Sequence, residues 1–136
     1  MIFRFVVTRL RWLARIPLFP QTFDAMLLLG AIIRDRRVLR IRQLLEENAI
    51  DSLGVGLTNH RFGGVGFLHN GVELGHLHGN GLFDAFLGTD RDQVVRSGLA
   101  SPHHLFERSG WVSLWIKTEA DAQKALEVLR KAKLKL

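Results

Sequence analysis

The chain has 136 residues, enough for one domain and too few for two of ordinary size. Apolar residues make up 47% and charged residues 24%, the balance of a folded globular protein rather than a disordered one. No residue is a cysteine, which excludes disulfides, thiolate zinc sites, iron–sulfur clusters and thiol catalysis. The net charge of +6 is unevenly spread: residues 1–48 hold nine Arg against four acids, the last seven residues hold four cations, and the stretch between is net −3. A sequence-independent nucleic-acid binder spreads cations over its docking face, so an acidic body with basic ends weighs against that partner.

Residues 2–16 read as a basic amphipathic helix. Arg4, Thr8, Arg11 and Arg15 fall on one face, while Phe3, Val6, Val7, Leu10, Trp12 and Leu13 cover much of the rest. That composition suits a segment lying on an anionic membrane, or an ordinary terminal helix packed on its own domain. Pro17 and Pro20 end it. A second helix is expected from Thr22, capped by its hydroxyl, with Asp24 in the first turn where the helix dipole favours an anion. The apolar run Ala25–Ile33 has nine residues against the about 20 that a bilayer requires, so it predicts no spanning helix. Its basic cluster follows the run, unlike that of a signal peptide, and the segment is expected to stay on the chain. A third helix over about residues 36–48 presents Val38, Ile41, Leu44 and Leu45 to a core.

From Gly54 to Gly81 the texture changes to glycine interleaved with Val, Phe and Leu, which predicts strands and turns. Asn70-Gly71 predicts a two-residue type I′ turn joining strands near Phe62–His69 and Val72–His78, with a third strand over Leu82–Leu87. Thr89-x-x-Asp92 resembles a capping box opening a short helix that Gly98 stops. Trp111–Lys117 alternates as a strand, and Thr118-x-x-Asp121 opens a final helix with Ala122, Ala125, Leu126 and Leu129 facing inward. The order implies an α+β fold: an antiparallel sheet of four to five strands, helices packed on one face and extra N-terminal helices. Residues 1–50 form the helical segment of this reading, and residues 51–136 its main domain.

All six histidines lie between His60 and His104. With a two-residue turn, His69 faces Val72, Phe67 faces Leu74, Val65 faces His76 and Gly63 faces His78. His76 and His78 then share one side, and Glu73 and Leu77 point to the other. A His-x-His pair on a strand sets two imidazoles about 7 Å apart, where His103, His104 or Asp84 would supply a third metal ligand. The further ligands of a cupin-type barrel are missing, so the preferred reading is two polar side chains lining a cleft, and no metal set is assigned. Arg61 precedes Gly63 and Gly64, whose bare backbone leaves room for a ligand, and is a candidate for gripping a carboxylate or phosphate. A salt bridge to Glu73 or Asp84 is the competing reading. Ser101, Ser109 and Ser113 lie near His103 and His104, yet no G-x-S-x-G elbow, Walker loop or dinucleotide fingerprint is present. Ser101-Pro102-His103-His104 reads as a loop that turns one imidazole inward, and Trp111 and Trp115 share a face if their strand is regular.

Several of these words recur together. His60-Arg61-Phe62-Gly63-Gly64, Glu73-Leu74-Gly75-His76-Leu77-His78-Gly79, Asp84, Pro102-His103-His104, Ser109-Gly110-Trp111-Val112-Ser113 and Thr118-Glu119-Ala120-Asp121 resemble, in order and spacing, the luciferase-domain (luciferase-like) family of small proteins. The resemblance spans about residues 52–134. It implies that Arg61, Glu73, His76, His78, Asp84, His103, His104 and Trp111 occupy the family's polar and aromatic motif positions, and it carries over no reaction or substrate. The stretch from His103 to Leu129 is also similar, more loosely, to double-wing (YjbR-type) domains, a family associated with DNA binding.

These readings lead to a luciferase-like domain that binds a small polar or anionic ligand in a pocket lined by Arg61, His76, His78, Asp84, His103, His104 and Trp111. His76, His78, Glu73 and His103 are its candidates for acid–base catalysis, since imidazole titrates near neutral pH. No cofactor is assigned. The alternative is an interaction module that meets nucleic acid or an anionic membrane through the basic ends, and oxidoreductase activity has no supporting cofactor motif. A cytoplasmic location is expected, with peripheral membrane contact through residues 1–16 as the variant.

Overall fold

The computed structural model describes Phe5 and residues 8–136. Phe3, Arg4, Val6 and Val7 of the expected amphipathic helix lie outside the described residues, and a 3-10 turn over Arg11–Arg15 follows them. Helix α1 (Phe19–Arg34) starts earlier than Thr22. Pro20 opens it rather than ending its predecessor, because the first turn needs no N–H from that residue. Thr22 is not its cap; the hydroxyl donates to the Leu18 carbonyl at 2.9 Å. Helix α2 (Arg37–Leu53) runs one turn past the expected end and stops at Gly54, which takes the left-handed conformation at φ 61°. It buries Ile41, Leu45, Ala49 and Leu53, leaving Val38 and Leu44 half-buried.

Six strands form one antiparallel sheet in the order β1-β2-β3-β4-β6-β5. They are β1 (Gly56–Asn59), β2 (Val65–His69), β3 (Val72–Leu77), β4 (Leu82–Phe86), β5 (Ser101–Pro102) and β6 (Trp111–Trp115). Short edge strands β1 and β5 bring the count above the four to five expected. Helix α3 (Arg91–Arg96) has no side-chain cap, so Thr89-x-x-Asp92 is not a capping box. Helix α4 (Glu119–Lys133) does have one: Thr118 accepts from the Asp121 N–H and Asp121 accepts in return from the Thr118 N–H. Its Ala122, Ala125, Leu126 and Leu129 are buried as expected. With α2 they form one apolar core against Phe67, Leu74, Leu77, Phe83, Ala85 and Val112 of the sheet.

The β2–β3 hairpin turns where expected, with Asn70 at φ 50° and Gly71 at φ 78°. Its register does not hold. His69 faces Val72 and Leu68 faces Glu73, but Phe67 then faces Gly75, Gly66 faces His76 and Val65 faces Leu77. Leu74 and Gly75 together oppose Phe67, a β-bulge that displaces each expected pairing beyond the first. One step of alternation is thereby cancelled: Leu74 and Leu77 both enter the core, and Glu73 joins the side of His76 instead of facing away. Gly75 permits the fit, because a Cβ there would stand 2.5 Å from the Asp84 carbonyl oxygen.

Candidate functional site: a buried histidine–carboxylate centre

The sheet face away from the core carries one polar row. His76 pairs with Asp84, and Asp84 with Ser113, so the three side chains line up across β3, β4 and β6 while Phe83, Ala85 and Val112 point into the core. His78 lies two residues beyond His76, and the loop after β5 brings His103 and His104 to the same place. Asp84 is the hub, its side chain 1% exposed. Its Oδ1 accepts from the Ser113 hydroxyl and lies 3.6 Å from His104 Nδ1. Its Oδ2 is surrounded by three ring nitrogens: His76 Nε2 at 3.6 Å, His78 Nε2 at 3.6 Å and His103 Nε2 at 3.7 Å. Those spans exceed hydrogen-bond length, and this buried oxygen has no hydrogen bond.

Hydrogen bonds around the hub fix which way each ring faces. Glu73 Oε1 accepts from His76 Nδ1 and Oε2 from His60 Nδ1, each at 2.9 Å, and the two rings stack 3.7 Å apart. With its Nδ1 proton committed, His76 points Nε2 inward. His103 is arranged oppositely: its Nδ1 accepts the N–H groups of Leu105 and Phe106, each at 3.1 Å, so the ring proton sits on Nε2, facing Asp84. Asp24 reaches in from α1, accepts the Gly79 N–H at 2.6 Å and lies 3.7 Å from His78 Nδ1. Buried and past the first turn, it is not the dipole partner the sequence predicts.

The charges follow from these contacts. Burial alone would raise the Glu73 carboxyl, but hydrogen bonds from His60 and His76 outweigh it and bring its pKa down to about 2. Asp84 is likewise held far below the carboxylate range, its burial overcome by the histidines and Ser113. Burial also opposes charge on His76, yet Asp84 and Glu73 reverse this and raise it. For His60 and His103 burial prevails and both are lowered.

Of the residues singled out by sequence, the fold gathers Glu73, His76, His78, Asp84, His103 and His104, with the Trp111 ring 5.6 Å from His76. Arg61 stands apart. It is exposed with its guanidinium 5.3 Å from the Phe62 ring, and Glu73 and Asp84 take histidine partners instead. The bare backbone at Gly63 and Gly64 is filled by the chain itself, by the carbonyls of Pro20 and Leu77. His60 and Asp24 were not expected at the centre, whereas Ser113, noted beside His103 and His104, joins it by donating to Asp84. His60 heads a motif whose sequence marks Arg61 alone as a ligand candidate, whereas nothing local marks Asp24, 55 residues from Gly79. The centre is packed rather than an open cleft, with Glu73 and His104 the partly exposed members at 28% and 22%. Two surface grooves lie elsewhere, one between α2 and α4 and one beside Gly88–Asp92. Among the described residues, three overlapping sets have donor atoms within 4.8 Å of one another: His60, Glu73 and His76; His76, His78 and Asp84; and Asp84, His103 and His104.

Fold and centre together define a small α+β protein with a buried histidine–carboxylate cluster on the sheet face away from its apolar core. The family model described as Luciferase domain matches residues 71–132, from the hairpin turn through most of α4, in agreement with the resemblance read from the sequence. The match includes His76, His78, Asp84, His103 and His104, and stops short of His60 and α1. No curated protein and no solved structure matches the chain.

Proposed function

We propose that the centre around Asp84 binds a small polar or anionic ligand and donates a hydrogen bond to it. The observation that carries this reading is the convergence of five imidazoles on two carboxylates, Glu73 and Asp84, outside the apolar core. Burying so many ionisable groups is costly compared with apolar side chains of similar size, and such clusters mark functional sites more often than scaffolding. His103 donates the hydrogen bond of this reading, because its Nε2–H faces inward while Nδ1 is occupied by two backbone N–H groups. Glu73 orients His76, and Arg61 has no part in it. The ligand enters past His104 and Trp111, the half-buried rim of the centre. The test follows the histidine ring resonances by NMR during titration with inorganic phosphate and with acetate. Saturable shifts at His76, His103 and His104 with His69 unmoved support the proposal; no shifts, or equal shifts at His69, refute it. His103→Ala is expected to weaken the binding about tenfold, the value of one hydrogen bond.

One surface feature favours a second reading, peripheral contact with an anionic membrane. Helix α1 leaves Met26, Leu29 and Ile33 58–77% exposed at helical spacing, and the exposed Arg34, Arg36, Arg37 and Arg40 follow. Among the described residues no helix is long and apolar enough to cross a membrane. Salt-sensitive sedimentation with phosphatidylserine vesicles, lost on combining Met26→Glu with Ile33→Glu, is the expected result. Sedimentation unchanged by that pair of substitutions refutes it.

A further inference from the structure

We infer that His76 Nε2, His78 Nε2 and Asp84 Oδ2 form a binding site for one divalent transition-metal ion. The inference rests on the proposed function of the same centre and names what would hold the ligand's polar group there. Its first support is spacing. Asp84 Oδ2 stands 3.6 Å from each Nε2, and His76, His78 and Asp84 each offer a ligand atom within 4.8 Å of the others. Two bonds of about 2.0–2.1 Å at a tetrahedral angle span about 3.3 Å, so each Asp84–histidine pair stands within a few tenths of an ångström of the separation a shared ion requires. The second support is independent of spacing. Asp84 Oδ2 has no hydrogen bond although its side chain is 1% exposed, and a cation at that point would satisfy a buried acceptor that the surrounding rings leave unbonded. The third is the outer layer: Glu73 accepts from His76 Nδ1 at 2.9 Å, and Asp24 lies 3.7 Å from His78 Nδ1. Carboxylates behind both ligand rings are the usual setting of metal-binding histidines.

The protons distinguish this set from its two neighbours. In the set of His60, Glu73 and His76, the facing atoms are already joined by hydrogen bonds from both Nδ1 atoms. In the set of Asp84, His103 and His104, the His103 Nε2 carries the ring proton and has no lone pair to offer. That N–H remains available to whatever fills the open positions of the metal. Two imidazoles and one carboxylate leave such positions, as catalytic rather than structural sites do. Imidazole donors favour zinc, cobalt or iron over magnesium and calcium, which take oxygen ligands.

The test uses full-length protein without a histidine tag, stripped with EDTA and titrated with Co2+ while visible absorption is followed. One equivalent per chain is expected, displaced by Zn2+ and unaffected by excess Mg2+ or Ca2+. Asp84→Asn, which keeps the shape and removes the charge, and His78→Gln are each expected to raise the Co2+ Kd more than about 100-fold. Glu73→Gln raises it about 10- to 100-fold, and His69→Ala, outside the centre, leaves it unchanged. Circular dichroism of the metal-free variants verifies folding; should Asp84→Asn unfold, His78→Gln and Glu73→Gln decide. No stoichiometric uptake, or uptake undiminished in the folded variants, overturns the inference. Because the metal itself is read, failed uptake alongside anion-induced histidine shifts would sink this inference alone. Uptake without those shifts would sink the broader function instead.

Discussion

Replacing Asp24 by Ala tests how α1 is tied to the centre. As a charge near a helix start, Asp24 would be worth about 0.3–1 kcal/mol. The structure gives it different work: it is 7% exposed and accepts the Gly79 N–H at 2.6 Å. A hydrogen bond to a charged group contributes about 1.5–3 kcal/mol, and truncation also strands a buried N–H at about 1–3 kcal/mol. The two overlap, so a loss of about 3 kcal/mol is expected for Asp24→Ala. Asp24→Asn keeps the accepting oxygen and loses only the charge, for about 1 kcal/mol. With an unfolding entropy of about 2.1 cal/mol/K per residue, 3 kcal/mol lowers Tm by about 10 °C. Urea unfolding at pH 7 gives the free energies, and amide exchange at Gly79 reports the bond itself. The reasoning fails if Asp24→Ala costs no more than the dipole value, or if Asn and Ala cost the same.

Two further outcomes follow. Gly75→Ala places a methyl 2.5 Å from the Asp84 carbonyl oxygen and 3.0 Å from Ala85 Cβ, so β3 must move away from β4 at a cost of about 1–3 kcal/mol; unchanged urea unfolding and unchanged His76 resonances would contradict the bulge geometry. At α4, burial would raise Asp121, but bonds from Thr118 and the Lys117 N–H outweigh it and its pKa falls below 3.8. A lowered carboxyl stabilises the fold above its unfolded pKa and loses that contribution as pH falls through its folded one. Asp121→Ala is therefore expected to cost about 1 kcal/mol at pH 7, with the gap to wild type narrowing below pH 3.8 in urea titrations; a gap independent of pH refutes the cap.

The parts of this protein legible in its sequence are those whose physics is complete within a few residues. Asn70-Gly71 turns the hairpin because both positions adopt positive φ, and Thr118 with Asp121 caps α4 through bonds three residues apart. The 3.6-residue repeat of Ala122, Ala125, Leu126 and Leu129 buries the face it predicts. The crowding of histidines between His60 and His104 pointed to the centre without its geometry.

Tertiary structure decided the rest, because it depends on surfaces meeting across the chain. Strict alternation sends Glu73 away from His76, and only the fit of Gly75 against β4 inserts the bulge that brings them together. Arg61 is exposed, and the space beside Gly63 and Gly64 that a ligand would need is filled by Pro20 and Leu77, distant in sequence. Asp24 joined it because the bare Gly79 backbone admits α1, a contact across 55 residues. Periodicity tells which face a side chain takes within its own element; what stands opposite that face is set by packing between elements.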